Sequence, residues 1–235
     1  MFDFRNMLYP RRCPICKEIL LPGDGLICSI CEKNLPLIEE PKCKKCGKKI
    51  TNVEQEYCFD CTCNHHTFQQ GVALVTYNES IQKSLADVKY HNIRQNLDYY
   101  CEKLAKMYGN KIASWKPDVF LAVPLHPSRK RTRGFNQAEE IAMRLSSHLN
   151  IPYDFRVLKR VKKTLPQKEL NNKQRKKNLE GAFGVFLEGT QYETVILVDD
   201  IYTTGCTMQA CTDALKLAGV KNVYFITIAI GTNVS

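Results

Sequence analysis

The residues best suited to chemistry lie in one stretch, Thr194 to Ala210, TVILVDDIYTTGCTMQA. The β-branched run Thr194–Val198 predicts a buried parallel strand. It ends at two carboxylates, Asp199 and Asp200. A turn of small residues follows (Thr203, Thr204, Gly205, Cys206 and Thr207), and then a helical pattern through Leu217 to Gly219. Strand, acidic pair, small turn and helix set the backbone N–H groups of the turn at a helix N-terminus, which suits a phosphate. The three threonines add hydroxyl donors, Cys206 contributes backbone, and Gly205 admits close approach. Carboxylates repel phosphate but accept hydrogen bonds from vicinal diols, directly or through Mg2+. A ligand with a phosphate at one end and hydroxyls at the other, such as ribose 5-phosphate, meets both demands. Neither G-x-x-x-x-G-K-[ST] nor G-x-G-x-x-G after a strand occurs, so two other nucleotide-binding patterns are missing.

A second chemistry sits near the N-terminus. Four CxxC pairs, Cys13/Cys16, Cys28/Cys31, Cys43/Cys46 and Cys58/Cys61, begin every 15 residues. Each pair can turn two sulfurs toward one ion, and two pairs complete a tetrahedral thiolate site. Eight thiolates suit two zinc ions. Sequential and crossed pairings both satisfy the ligand count, and the 11-residue gap between Cys16 and Cys28 suits the sequential one. With all four positions filled by sulfur, each ion is structural and supplies the stability that so small a segment lacks, roughly 10 kcal/mol per site. Cys63, His65 and His66 crowd the last knuckle, where they read as linker residues, the alternative being that one replaces a ligand.

The acidic-pair signature resembles that of the type I phosphoribosyltransferases, and three further stretches narrow the resemblance to the ComF/ComFC competence family. They are Val123 to Gln137 (VPLHPSRKRTRGFNQ), the series Arg160, Thr164, Gln167, Leu170, Arg175, Asn178, Gly181 to Phe183, and the four CxxC pairs themselves. The resemblance implies a type I phosphoribosyltransferase fold, a mostly parallel sheet flanked by helices, carrying an N-terminal double zinc ribbon. It implies binding of phosphoribosyl pyrophosphate (PRPP) with Mg2+. Asp199 and Asp200 would meet the ribose, Thr203–Thr207 the 5-phosphate, and Leu125, His126, Pro127, Ser128 and Arg129 the pyrophosphate. Arg160, Lys162, Lys163, Lys168, Arg175 and Lys176 would form a basic flexible loop. A cis peptide at Leu125–His126 is also implied. His126 itself reads as a loop hydrogen-bonder rather than a base. Lys130, Arg131 and Arg133 add charge to the pyrophosphate segment; the resemblance places Lys89-Tyr90 near the site, with a packing role as the equal alternative.

Phosphoribosyl transfer to an unidentified acceptor is the implied chemistry, and a role in DNA uptake during natural transformation the implied process. Thr203 stands where enzymes for 6-oxopurines carry a basic aspartate, which disfavours those substrates. The implied partners are PRPP, single-stranded DNA and competence proteins at the inner face of the membrane. The alternative function is a non-catalytic single-stranded DNA-binding factor with PRPP as effector.

The elements that must hold these residues follow the same alternation of strands and helices. Gly71–Tyr77, Phe120–Val123, Phe155–Leu158, Ala182–Leu187 and Val223–Ile230 read as further strands, and Ser80–Val88 and Leu97–Ile112 as helices. Ligands in such sheets bind beyond the carboxyl ends of the strands. The domains divide as 1–66 (double zinc ribbon) and 67–235 (phosphoribosyltransferase-like).

Nine of twelve cysteines precede residue 64, which in a reducing compartment favours metal over disulfides. Cys101 and Cys211 read as buried helical residues. No apolar run reaches the roughly 18–20 residues of a membrane span, so a cytoplasmic protein, at most peripheral to the inner membrane, is expected. The net charge is +10, and residues 156–177 hold ten basic residues and one acidic one, Glu169. Such a patch favours polyanions. Only Phe155 and Phe183 flank it, so no stacking platform is expected and DNA binding should be electrostatic.

Overall fold

The computed structural model describes residues 10–21, 23–162, 172–189 and 191–232. Four strands, β1 (Gly71–Thr76), β2 (Val119–Ala122), β5 (Thr194–Tyr202) and β6 (Asn222–Ile230), form one parallel sheet in the order β1-β6-β5-β2. A separate antiparallel hairpin pairs β3 (Leu158–Arg160) with β4 (Phe183–Val185). β5 runs past the apolar segment, so Asp199 and Asp200 lie inside the strand rather than after it, paired alongside β6 through Tyr202. The third strand expected from Phe155 begins only at Leu158.

Both sheet faces are apolar, as a sheet covered on both sides requires. One face, with Val72, Leu74, Phe120, Ile196, Val198 and Ile226, packs under α3 (Glu79–His91), α4 (Asn96–Ser114) and α6 (Gln137–Leu149) through residues such as Leu85, Leu104 and Ile141. The opposite face, with Ala73, Leu121, Val195, Leu197 and Phe225, packs under α8 (Cys206–Leu217) through Met208, Cys211 and Leu215. Cys101 and Cys211 are buried in helices, as expected.

The cysteine modules straddle this sheet. Cys13, Leu20, Ile27 and Leu35 join the first core, while Ile38, Cys43, Cys46, Ile50 and Cys58 join the second. Two short helices, α1 (Ser29–Lys33) and α2 (Phe59–Cys63), begin within the second knuckle of each module, with Cys28 and Cys58 at their N-caps and Cys31 and Cys61 inside them. Between the modules the chain pairs with the outer edge of β1. The Thr76 amide donates to Pro36 O and the Ile38 amide to Leu74 O, with Leu37 bridged antiparallel to Val75. That segment both carries the chain across the sheet and covers an edge strand that would otherwise be open.

Candidate functional site: a cationic cleft at the strand ends

The carboxyl ends of β5 and β2 open into a cavity of 320 Å3. Asp199 and Asp200 line it from β5, Val123, Pro124 and Leu125 from the end of β2, and Thr207 from the first turn of α8. Basic residues arrive from three other places: Lys89 from α3, Arg129 and Arg133 from α5 (Pro127–Arg133), and Arg160 from the end of β3. Four cations thus face two carboxylates. The surplus charge and the enclosure favour an anion larger than the carboxylates can neutralise.

Local chemistry explains each placement. Asn136 caps α6 by accepting from the Ala138 amide at 3.2 Å, and its own amide donates to Val123 O at 3.0 Å. That buried residue ties the end of β2 to the helix behind it. Residues 127–133 form a short helix instead of the open loop expected there. His126 caps it, with Nδ1 accepting from the Ser128 amide at 3.2 Å and lying 2.7 Å from Ser128 Oγ. His126 is therefore the hydrogen-bonder its sequence position suggested. Leu125 and Arg129 line the cavity, whereas His126, Pro127 and Ser128 do not. The Leu125–His126 peptide is not cis; among the described residues only Glu40–Pro41 is.

Lys89 forms an ion pair with Asp200, its ammonium largely withdrawn from solvent. Burial alone would lower the Lys89 pKa, but Asp200, with Asp199 behind it, holds the ammonium above the usual lysine range. Burial and the neighbouring Asp200 push the Asp199 carboxyl well above the ordinary carboxylate range. Burial lowers Arg133 and, with Arg129 nearby, Arg160. The Arg133 guanidinium lies over the Tyr90 ring at 5.5 Å. Tyr77, just past β1, completes the wall, and no sequence pattern marked it.

The turn before α8 has two sides. Thr207 faces the cleft, while Thr204 and Cys206 line a second cavity of 1040 Å3 between residues 63–66, α8 and β4. The Thr204 hydroxyl donates to Cys206 Sγ at 3.2 Å, and Thr203 is exposed. Gly205 has φ +79°, and a Cβ there would stand 2.3 Å from the Tyr202 hydroxyl and 2.9 Å from His66 Cε1. Glycine is required by the backbone and by its aromatic neighbours together.

The basic segment is partly described. Lys162 is exposed after β3. Arg175 and Lys176 lie on α7 (Asn172–Leu179), so this part is helical and not loop. Lys163 and Lys168 lie outside the described residues. The aromatic environment differs from expectation: Phe183 is buried, whereas Phe186 and Tyr153 are 43% and 44% exposed.

The cysteines pair sequentially, Cys13, Cys16, Cys28 and Cys31 in one tetrad and Cys43, Cys46, Cys58 and Cys61 in the other, with all sulfurs of a tetrad within 4.8 Å. Cys16 and Cys28 sulfurs are 3.8 Å apart and those of Cys46 and Cys58 3.6 Å. A tetrahedron with Zn–S bonds of about 2.3 Å has an edge of roughly 3.8 Å, so both tetrads fit a structural zinc ion.

The family comparisons agree with this arrangement. The double zinc ribbon domain matches residues 4–62, and the phosphoribosyl transferase domain matches residues 90–232. The chain belongs to the phosphoribosyl transferase family. Within it, the chain is a homologue of competence protein F and ComFC. Competence protein F of Haemophilus influenzae is 29% identical over 95% of this chain and 96% of its own length. Competence protein ComFC of Streptococcus pneumoniae is 27% identical over 87% of this chain and 88% of its own. DNA utilization protein YhgH of Shigella flexneri is 27% identical, covering 91% and 94%. A purine phosphoribosyltransferase from Pyrococcus horikoshii aligns over 56% of this chain and 73% of its own, with 18% identity and a TM-score of 0.36. Among the described residues of this family member, no helix is long and apolar enough to cross a membrane.

Proposed function

We propose that the cleft binds PRPP and that the protein acts in the uptake of DNA during transformation, on the cytoplasmic side with competence proteins at the inner membrane. The observation that carries the reading is the convergence of Asp199, Asp200 and Thr207 with Lys89, Arg129, Arg133 and Arg160 around one 320 Å3 cavity. Asp199 and Asp200 would accept the ribose hydroxyls, and the N-terminus of α8 with Thr207 would hold the 5-phosphate. Arg129, Arg133 and Lys89 would face the pyrophosphate. Asp199 and Asp200 are the only carboxylates among the described residues lining the cavity. They fit a Mg2+ ion that enters with the ligand, whose charge would offset that of the pyrophosphate.

The chemistry such a cleft supports is phosphoribosyl transfer. The C1–oxygen bond to pyrophosphate breaks with its electron pair leaving on the pyrophosphate, and a nitrogen of the acceptor bonds to C1. Arg129, Arg133 and Lys89 stabilise the charge that develops on the leaving group, and the carboxylates face the positive character growing on the ribose. Thr203 is exposed and is no base at neutral pH, which argues against 6-oxopurine acceptors. Lys89 must leave Asp200 for the diol to bind, so it is free to follow the pyrophosphate.

Calorimetry with PRPP and Mg2+ tests the reading. Saturable binding is expected, and it should be lost in Asp199→Asn/Asp200→Asn. A folded, zinc-loaded native protein that takes up no PRPP would overturn it. The pH dependence has a definite sign. Cation and diol binding favour ionised Asp199, whose pKa is raised by burial and by Asp200. Affinity should therefore be full at high pH and fall as pH drops through that raised pKa, earlier than an ordinary carboxylate would dictate. Asp199→Asn should flatten this fall.

A second reading is a single-stranded DNA-binding factor with PRPP as effector. It is favoured by the basic stretch 156–177, whose exposed members among the described residues, Arg156, Lys159, Lys162 and Lys177, lie outside the cleft.

A further inference from the structure

We propose that the outer face of the β3–β4 hairpin, with the Tyr153–Phe155 pair beside it, is a base-stacking platform for single-stranded DNA. This inference rests on the second reading above and locates its surface. Exposed apolar side chains scattered singly need no explanation, but these gather from distant parts of the chain. Phe186 donates its amide to Val157 O at 2.8 Å, which sets it beside the segment that carries Tyr153 and Phe155 on one side and Lys159 on the other. Tyr153 and Phe155 stack with centroids 4.6 Å apart and planes at 22°.

Gly184 makes the hairpin flat. A Cβ at that position would stand 3.0 Å from Val161 Cγ1 and 3.1 Å from Phe186 Cε2, so the ring of Phe186 lies across bare backbone. Val161 extends the patch at 58% exposure. The Lys159 ammonium stands 4.8 Å from the Phe186 centroid. A ring beside a cation is the unit that single-strand binders repeat, the ring taking a base and the cation the adjoining phosphate. Arg156 is tethered to Asp154 at 2.9 Å and so is partly neutralised, leaving Lys159 and Lys162 as the phosphate partners.

The strand alternation separates this surface from the cleft. Arg160 points inward and lines the 320 Å3 cavity, whereas the adjacent Lys159 is exposed on the outer side. A single strand therefore serves two anion sites, a small enclosed one and a long open one. Double-stranded DNA keeps its bases stacked on each other and could use only the cations.

The test is anisotropy of a labelled 20-nucleotide oligothymidylate with the full-length, zinc-loaded protein, compared with Phe186→Ala, Phe186→Leu, Phe186→Trp and Tyr153→Ala. PRPP calorimetry on each variant reports the fold, because neither ring lines the cleft. Removal of one ring should weaken oligomer binding about 5- to 150-fold. Leucine should fail to restore it and tryptophan should restore it. An abasic oligomer should bind weakly and be insensitive to Phe186→Ala. Native protein that binds no oligomer at low salt would sink the DNA reading itself. Tight native binding unchanged in Phe186→Ala and Tyr153→Ala would overturn the platform alone, leaving DNA binding elsewhere. Equal affinity for a duplex of the same length would also overturn it.

Discussion

The first cysteine module, around Cys13, Cys16, Cys28 and Cys31, lies on the face of the sheet under α3, α4 and α6, with Cys16 exposed and Cys28 and Cys31 half-buried. The second, around Cys43, Cys46, Cys58 and Cys61, has three of its four sulfurs buried in the core beneath β5 and β6. Both use the spacing Cys-x2-Cys-x11-Cys-x2-Cys. What differs is the attachment. The first module adds ion pairs to its apolar contacts at Cys13, Leu20, Ile27 and Leu35: Arg11 to Asp98 on α4, Lys17 to Asp87 on α3, and Lys103 to Glu32 at 2.8 Å. Aromatic packing holds the second. Phe68 is fully buried between Phe225, edge-on at 5.0 Å, and His66, stacked at 4.8 Å, while Tyr202 stacks on Phe225 at 4.8 Å. Within the second module Lys48, nearly sealed from solvent, pairs with Asp60 at 2.6 Å. One metal motif can thus serve as a surface clasp or as part of a core, and the choice depends on what surrounds the sulfurs.

The sharpest way to break this contrast is to remove one metal at a time. Cys46→Ser/Cys58→Ser should abolish cooperative unfolding of the whole protein. Structural zinc is worth on the order of 10 kcal/mol, which equals the entire stability of a typical domain. The tetrad also backs Tyr202, on which the turn at Gly205 packs. A thermal transition near that of the native protein, in the presence of zinc, would refute the embedded role. Phe68→Ala leaves the ligands intact and removes only the aromatic attachment, at a cost of about 3–5 kcal/mol. Its melting temperature should fall steeply while zinc content stays at two; an unchanged transition would show that the metal alone fixes this module.

Cys16→Ser/Cys31→Ser should give a milder result. Zinc content should drop from two ions to one, and the sheet should keep its cooperative transition. In a chelator titration of the native protein the first ion lost should be that of the first, less buried tetrad, read by mass spectrometry of the protected cysteines. Simultaneous loss of both ions would mean the modules are coupled more tightly than their burial indicates.

How much of this was legible in the sequence depends on how local each signal is. The CxxC repeat and the Asp199–Thr207 signature are dense runs, so metal, phosphate chemistry and the sheet that presents them could all be read. The extension of β5 through Asp199 and Asp200 could not, because Asp is disfavoured in strands and only the tertiary setting overrides that preference here. Lys89 was suspected and Arg133 counted as charge, yet their convergence with Arg160 depends on α3, α5 and β3 meeting in space. Phe186 and Tyr153 stand 33 residues apart, and it is the bond from the Phe186 amide to Val157 O that sets the one beside the segment carrying the other. The unequal burial of two identical spacings was invisible for the same reason. It arises from Pro36 to Ile38 crossing the edge of β1, which puts one module on each face.

The smallest effect tests the clasp itself. Lys17 has φ +71° just after the first knuckle, and its ammonium reaches Asp87 on α3 and Pro14 O at 3.3 Å. Asp87 lies two residues before Lys89, which pairs with Asp200 in the cleft. Exposed ion pairs contribute only about 0.2–1 kcal/mol, so Lys17→Ala should lower the melting temperature by a few degrees at most. The loss should shrink further in high salt as screening removes the native pair's advantage. If α3 is held only by its own core contacts at Leu85 and Val88, PRPP affinity of Lys17→Ala should equal that of the native protein. A clear fall in affinity at unchanged zinc content would mean that the clasp, weak as it is, sets the register of the helix that carries Lys89. The first module would then act on the cleft as well as on the surface.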